Sequence, residues 1–237
     1  MTEELFREDA YLKSCEAKVL KINDMGGIIL DQTVFYPTGG GQPGDSGQLI
    51  FNDSQVKIVT TVYDWDTGEL VHVPDEGQKL PDEGNSVTAE IDWDRRYLHM
   101  RMHTGLHLLC AAVPCGVTGG QIGADKSRLD FEIGDMTLDK EEITQKLNDF
   151  QSANHEVTSF WITDEEIDEN PDLVRTMSVK PPRKGGRVRL MKVGDAVDLQ
   201  PCGGTHVKNT SEIGRLRVSK IENKGKHNRR VNIVFEE

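Results

Sequence analysis

The chain reads as an α+β protein in two parts: a small antiparallel β-barrel over residues 1–92, then a unit over residues 93–237 whose helices pack on an antiparallel sheet. Two observations carry that reading. Between Lys18 and Trp93, apolar and polar residues alternate in short segments punctuated by turn residues, the period of half-buried strands. After Trp93 the apolar residues recur at steps of three and four, the period of a helix face. A length of 237 residues leaves room for two cores.

In the first part the strand candidates are EAKVLKIN, GGIILDQTVFY, QVKIVTTVYDW, GELVHV and SVTAEIDW. Val56, Ile58 and Val62 share one period-2 face, and Val87, Ala89, Ile91 and Trp93 share another. Strands this short and closely spaced close toward a barrel. YPTGGGQPGDSG, Tyr36 to Gly47, holds five glycines in twelve residues and is a loop. It reads either as backbone able to approach a phosphate or a substrate closely, or as a tight turn within the barrel.

In the second part Leu98, Met102, Leu106, Leu109 and Val113 mark a helix that Pro114 ends. A second helix from about Leu138 to His155 buries Ile143, Leu147 and Phe150, with Asp139 and Glu142 as its capping pair. VTSFWIT, RVRLMKV, GRLRVSKI and RVNIVFEE follow as strands, the last two a hairpin around NKGKHNR. No internal repeat and no low-complexity segment is present.

The formal charge of −12 argues against a polyanionic partner until its distribution is considered. Arg175 to Lys192 holds seven Lys and Arg and no acid, and Arg215 to Arg230 holds seven against the single Glu222. A local basic face is enough to dock a polyanion, because screening confines charge to within about 8 Å; the alternative is a set of solvated strand edges and loops. No apolar run approaches the roughly 20 residues of a membrane span, and the N-terminus MTEELFREDAYLKSC has no secretory features. The expectation is a cytoplasmic protein whose four cysteines are reduced.

His99, His103 and His107 recur every four residues on the first helix and share one face. Two of them can grip one cation, and spacing does not choose between the pairs 99/103 and 103/107. Cys202 and His206 add a thiolate and an imidazole on either side of a Gly-Gly pair, and an imidazole and thiolate set suits zinc better than magnesium or calcium. Cys110 and Cys115, beside Ala111, Ala112 and Val113, read as buried core thiols. No general base stands out; Asp92, Asp94 and Asp198 are candidates without a supporting pattern.

HTGLH at 103–107 followed by CGGTH at 202–206 resembles the HxxxH and CxxxH pair of the alanyl-tRNA synthetase editing domain and its relatives, the AlaX proteins. VFYPTGGGQPGDSG resembles the glycine-rich motif of that family, GGQIGADKSRLDF the strand segment after its histidine helix, and IGRLRVSKIENKGKHNRRV its closing hairpin. The similarity runs from about Val34 to the end, with the length of the medium AlaX proteins. It implies an editing unit of the threonyl- and alanyl-tRNA synthetase second additional domain type, with one zinc ion on His103, His107, Cys202 and His206 and with His99 outside the site. The implied activity is hydrolysis in trans, without ATP, of tRNA(Ala) mischarged with serine or glycine. The rival functions are a non-catalytic zinc-stabilised tRNA-binding module and editing of another tRNA, such as a threonine-type substrate. Substrate contacts implied are Thr118 and Gln121, in the segment that resembles the family's pocket-lining strand, and Gly39, Gly40, Gly41 and Gln42 of the glycine-rich loop. The basic stretches would hold the acceptor stem through Arg183, Lys184, Arg187, Arg229 and Arg230.

Overall fold

The computed structural model describes residues 2–177 and 183–236, and the chain divides into two compact units, Met1–Tyr97 and Leu98–Glu237. The first unit contains β1 (Glu3–Glu4), β2 (Ser14–Ile22), β3 (Ile28–Leu30), β4 (Gln32–Thr33), β5 (Gly47–Phe51), β6 (Ser54–Tyr63), β7 (Leu70–Pro74) and β8 (Ser86–Ile91). Six of these close into an antiparallel barrel in the order β2-β3-β7-β6-β5-β8, and β1 pairs with β4 in parallel beside it. Alternation puts Val19, Leu49, Val56, Ile58, Val87 and Ala89 into one apolar core.

Two details of the barrel differ from the sequence reading. β5 was not among the strand candidates, yet Leu49 and Phe51 supply inward residues from a five-residue strand. In β6 the pairing with β7 shifts between Ile58 and Thr60, so the inward position passes to Thr61, which is fully buried, and Val62 is left half-buried. A bulge of this kind exchanges the two faces of a strand. Thr61 tolerates the position because its hydroxyl donates to the Asp45 carbonyl at 3.0 Å.

The loop between β4 and β5 is ordered by a buried ion pair. Arg96 is 0% exposed; its Nε donates to both Asp45 oxygens, its Nη2 to Asp45 Oδ2 and to the Val34 carbonyl at 2.7 Å, and its Nη1 to the Ala10 carbonyl at 3.0 Å. Asp45 in turn accepts the Tyr36 amide at 2.6 Å. Every charge in this network has an opposite partner and its hydrogen bonds, the condition for burying ions at tolerable cost.

α1 (Trp93–Ala112) starts in the first unit and continues into the second. Asp92 stands before its first residue and accepts the Arg95 amide at 3.1 Å, a helix N-terminal contact, and Asp94 is an exposed first-turn acid. Trp93 opens this helix half-buried instead of ending a strand face. From Met102 to Cys110 every residue of α1 is buried, so the helix is a central element of the second unit rather than a surface one.

Beyond α1 come β9 (Gly116–Gln121), β10 (Lys126–Glu132), α2 (Lys140–Ser152), β11 (Val157–Thr163), α3 (Asp164–Glu169), β12 (Arg183–Lys184), β13 (Arg187–Val193), β14 (Asp198–Pro201), β15 (Leu216–Asn223) and β16 (Asn228–Phe235). β15-β16-β10-β9 form one antiparallel sheet; β11-β13-β12, with β14 also on β13, form another. Gly105 fits the first sheet against α1: a Cβ there would meet Leu216 Cδ1 at 2.9 Å, which is why the helix accepts a residue costing up to about 1 kcal/mol in propensity. Asp139 caps α2 through the Glu142 amide at 2.8 Å, and Ile143 and Leu147 are buried, whereas Phe150 is half-buried. Cys110 is buried as expected; Cys115 is half-buried, 3.9 Å from the Met136 sulfur.

Candidate metal centre

α1 supplies His103 and His107 from successive turns, and the segment after β14 supplies Cys202 and His206. One ligand atom from each of the four lies within 4.8 Å of all the others. Cys202 Sγ is 3.4 Å from His103 Nε2 and 3.2 Å from His206 Nε2. The three imidazoles crowd together, with ring centroids 4.2 Å apart for His103 and His206 and 4.7 Å for His107 and His206. All three are at least nine-tenths buried. His99 is buried too, one turn earlier, and is not a member of the cluster.

Outer partners fix which nitrogen each ring presents. His107 Nδ1 donates to Asp198 Oδ2 at 2.7 Å, so its Nε2 is left for the cluster. Thr104 Oγ1 has a single proton and gives it to the Met100 carbonyl at 2.9 Å. It therefore accepts from the Val207 amide at 3.3 Å and from His206 Nδ1 at 3.2 Å, and His206 Nε2 carries its lone pair inward. The loop that bears Cys202 is clamped by Arg189 of β13, buried, whose Nη1 donates to the Cys202 and Gly204 carbonyls at 3.1 and 3.0 Å. The Gly204 amide approaches Cys202 Sγ at 3.5 Å.

The electrostatics favour the thiolate and the neutral His206 that a cation needs, whereas His107 would give up a proton on binding one. Burial opposes ionisation of the Cys202 thiol, but the His103 and His206 imidazoles outweigh it and hold the thiol well below its ordinary value. Burial, with the charge at His103, holds His206 well below the usual imidazole value. For His107 burial alone would lower the value, yet its hydrogen bonds to Asp198 and Cys202 raise it to about 10. Three imidazoles and a thiolate, two of them with Nδ1 engaged from outside, make a donor set that fits a zinc-like ion.

The remaining candidates fall elsewhere. Thr118 is the extra residue of a bulge in β9, between Val117 opposite Phe131 and Gly119 opposite Asp130. Its hydroxyl accepts from Asn228 Nδ2 at 2.6 Å and donates to the Asp130 carbonyl at 3.2 Å. Gln121 is exposed and accepts from Arg128 Nε at 3.3 Å. In the first unit Gly39 and Gln42 exchange backbone hydrogen bonds at 3.1 and 2.9 Å around Gly40 and Gly41, whose φ values of 56° and 81° need glycine, and Gln42 is fully buried.

The basic stretches carry less free charge than the sequence count implies. Arg230 is bidentate on Asp130 at 2.7 and 2.9 Å, and Arg128 shares that carboxylate at 2.9 Å. Arg183 pairs with Asp168 and Asp164 of α3. Arg229 donates to the carbonyls of Gly225 and Asn228 in its own turn. Arg187 is exposed and forms no ion pair with another described residue. The side chain of Lys184 lies outside the described residues, as does all of Lys180.

Sequence reasoning missed Arg189, Gln200 and Thr104, and left Asp198 without a role. The available signal was weak: Asp198 and Gln200 alternate with Leu199 and Pro201, which puts both polar side chains on the inward face of a strand.

Residues 188–232 match the family described as threonyl and alanyl tRNA synthetase second additional domain, and residues 8–95 match tRNA synthetases class II (A). The alanyl-tRNA editing protein AlaX-M of Methanosarcina acetivorans is 36% identical over 240 residues, covering 98% of each chain. AlaX-M of Saccharolobus solfataricus is 35% identical over 238 residues, with 98% of each covered. An alanine–tRNA ligase of Pyrobaculum arsenaticum is 38% identical over 233 residues, which are 93% of this chain and 25% of the ligase. The two family matches place the chain in a class related to the class II synthetases. Within it, the chain belongs to the alanyl-tRNA editing protein family, in its AlaX-M group.

Proposed function

We propose that the protein is an aminoacyl-tRNA deacylase that edits tRNA(Ala) mischarged with serine, and with glycine as a second substrate, in the cytoplasm. The observation that carries the reading is the convergence of His103, His107, Cys202 and His206, from segments about ninety residues apart, in a chain similar to alanyl-tRNA editing proteins over 98% of its length. These four would hold one zinc ion. When bound, zinc supplies a Lewis acid for an acyl oxygen or a water, or an anchor for the substrate's amino group.

The bond to be broken joins the aminoacyl carbonyl carbon to a ribose oxygen. Water adds to the carbonyl, the ribose oxygen leaves with a proton, and the products are free amino acid and uncharged tRNA. Ester hydrolysis runs downhill, so no ATP is required. Arg189 and Thr104 keep the Cys202 loop and His206 in place, and the buried surroundings of the three imidazoles keep bulk water away from the donor atoms. Gly39, Gly40, Gly41 and Gln42 are assigned to the substrate on the strength of the family resemblance. Arg183, Lys184, Arg187, Arg229 and Arg230 are assigned to phosphates, with Arg187 contributing most because no described acid neutralises it.

Sparing alanine is the demanding part, because alanine is smaller than serine and cannot be excluded by size. A polar group that pairs with the serine hydroxyl and is left unsatisfied by a methyl rejects alanine far more strongly than an apolar wall does. Gln121 and Thr118 are the candidates. Gln121 is the better placed of the two, since the Thr118 hydroxyl is already engaged by Asn228 and Asp130.

The test is a panel of Ser-, Gly- and Ala-tRNA(Ala) and Ser-tRNA(Thr), incubated with purified protein without ATP. Release of serine from tRNA(Ala) with alanine retained supports the reading. Equal hydrolysis of Ser- and Ala-tRNA(Ala) contradicts editing. Preference for Ser-tRNA(Thr) points to a threonine-type substrate, and binding without hydrolysis points to a non-catalytic module.

A further inference from the structure

We propose that Asp198 is the positioning residue of the metal centre: its carboxylate accepts a hydrogen bond from His107 Nδ1–H, fixes that imidazole's tautomer and ring plane, and so sets how tightly the four donors hold an ion. The inference rests on the metal reading above and goes beyond the four ligands to what holds them.

The argument starts from placement. Asp198 opens β14 four residues before Cys202, so the strand that delivers the thiol also delivers the carboxylate. The Asp198 side chain is 0% exposed. A buried carboxylate is expensive unless its oxygens are matched. Oδ2 accepts from His107 Nδ1 at 2.7 Å and from Gln200 Nε2 at 2.8 Å, while Oδ1 lies 3.6 Å from Arg175 Nη2. Gln200 Nε2 sits only 3.2 Å from His107 Nδ1 because both are donors to the same oxygen. Arg175 is itself held, donating to the Cys110 carbonyl at 2.9 Å, and its own carbonyl accepts the Val117 amide at 2.9 Å. The result is a connected row, Arg175 to Asp198 to His107, that ends at the cluster.

A neutral acceptor would satisfy His107 Nδ1 equally well in hydrogen-bond count, as Thr104 does for His206. What a carboxylate adds is a charge behind the imidazole, which makes Nε2 a stronger donor to a cation. His107 therefore has an anionic partner behind it, where His206 has a neutral one.

The experiment compares zinc affinity, by competition with a chromogenic chelator, for wild type, Asp198→Asn, Asp198→Ala and Arg175→Gln, with cobalt(II) absorption of each loaded protein and circular dichroism of each metal-free one. Outer partners of this kind typically change metal affinity by roughly 10–100-fold. Asp198→Asn is expected near the lower end, Asp198→Ala near the upper end and Arg175→Gln below both. Folded Asp198→Ala with wild-type affinity and cobalt spectrum would overturn the proposal while leaving the metal reading intact. Wild type that takes up no ion would overturn both. Should Asp198→Ala not fold, nitrogen-15 spectra of the zinc-loaded wild type decide: a protonated His107 Nδ1 with a metallated Nε2 supports the proposal, and the reverse tautomer overturns it.

Discussion

Two of the buried polar groupings among the described residues are built on opposite principles. In the barrel unit Arg96 and Asp45 neutralise each other, and the remaining guanidinium protons go to the carbonyls of Val34 and Ala10. In the second unit His103, His107, Cys202 and His206 are four electron-pair donors that face one another, while outer groups occupy the Nδ1 positions of His107 and His206. The first grouping is complete in itself. The second makes chemical sense as a receptor for a cation. Burial and polarity are common to both, so what separates a structural network from a binding site is whether donors and acceptors are matched inside it.

The comparison can be broken most severely at Asp45. Asp45→Ala leaves Arg96 buried without a counter-charge, and urea unfolding is expected to show a loss of about 3–5 kcal/mol. The double variant Arg96→Met with Asp45→Leu should recover much of that loss, as a purely structural pair permits. A double variant as unstable as the single one would mean that the pair does more than fill the interior.

His72 offers a sharper contrast, being a buried imidazole with no cation to hold. Its Nε2 is 2.8 Å from Thr33 Oγ1 and its Nδ1 3.0 Å from the Ile28 carbonyl, and burial lowers its value from 6.5 to about 4. Because the folded value lies below the unfolded one, the stabilisation is fully present above pH 6.5 and is lost as pH falls toward 4. The difference corresponds to about 3 kcal/mol. Thermal melts between pH 4 and 7 should show that slope in wild type and lose it in His72→Gln.

At the substrate the expected effects are smaller. Gln121→Ala should reduce the preference for Ser-tRNA(Ala) over Ala-tRNA(Ala) by roughly tenfold, about 1.4 kcal/mol, with zinc retained. Thr118→Val should do less, because its hydroxyl serves the sheet. The smallest effects belong to the surface. Arg187→Glu should lower tRNA affinity and flatten its salt dependence by about one unit of slope, more than Arg230→Glu, whose guanidinium is committed to Asp130. Equal effects from the two would show that Asp130 does not hold Arg230 back from the phosphates.

The legible parts of the molecule were those governed by local period and spacing. Alternation from Lys18 to Trp93 announced a barrel, and the four-residue steps of His99, His103 and His107 announced a shared helix face. Long-range partners were not legible. Nothing local says that β6 slips by one residue after Ile58 and turns Thr61 inward, because β7 decides that. Nothing in Arg175 to Lys192 reveals that the acids of α3 will stand against Arg183, and nothing in Arg215 to Arg230 reveals that Asp130 will take Arg230. Asp198 was visible only as one carboxylate among several, since its meaning comes from His107, ninety-one residues away.

Metal content measured by elemental analysis tests the central claim most directly, on wild type, Cys202→Ser, His107→Ala and His99→Ala purified in parallel. The account predicts one zinc per chain in wild type and in His99→Ala, and marked loss in Cys202→Ser and His107→Ala with secondary structure retained. Zinc lost from His99→Ala but kept in His107→Ala, or a wild type without metal, would contradict it.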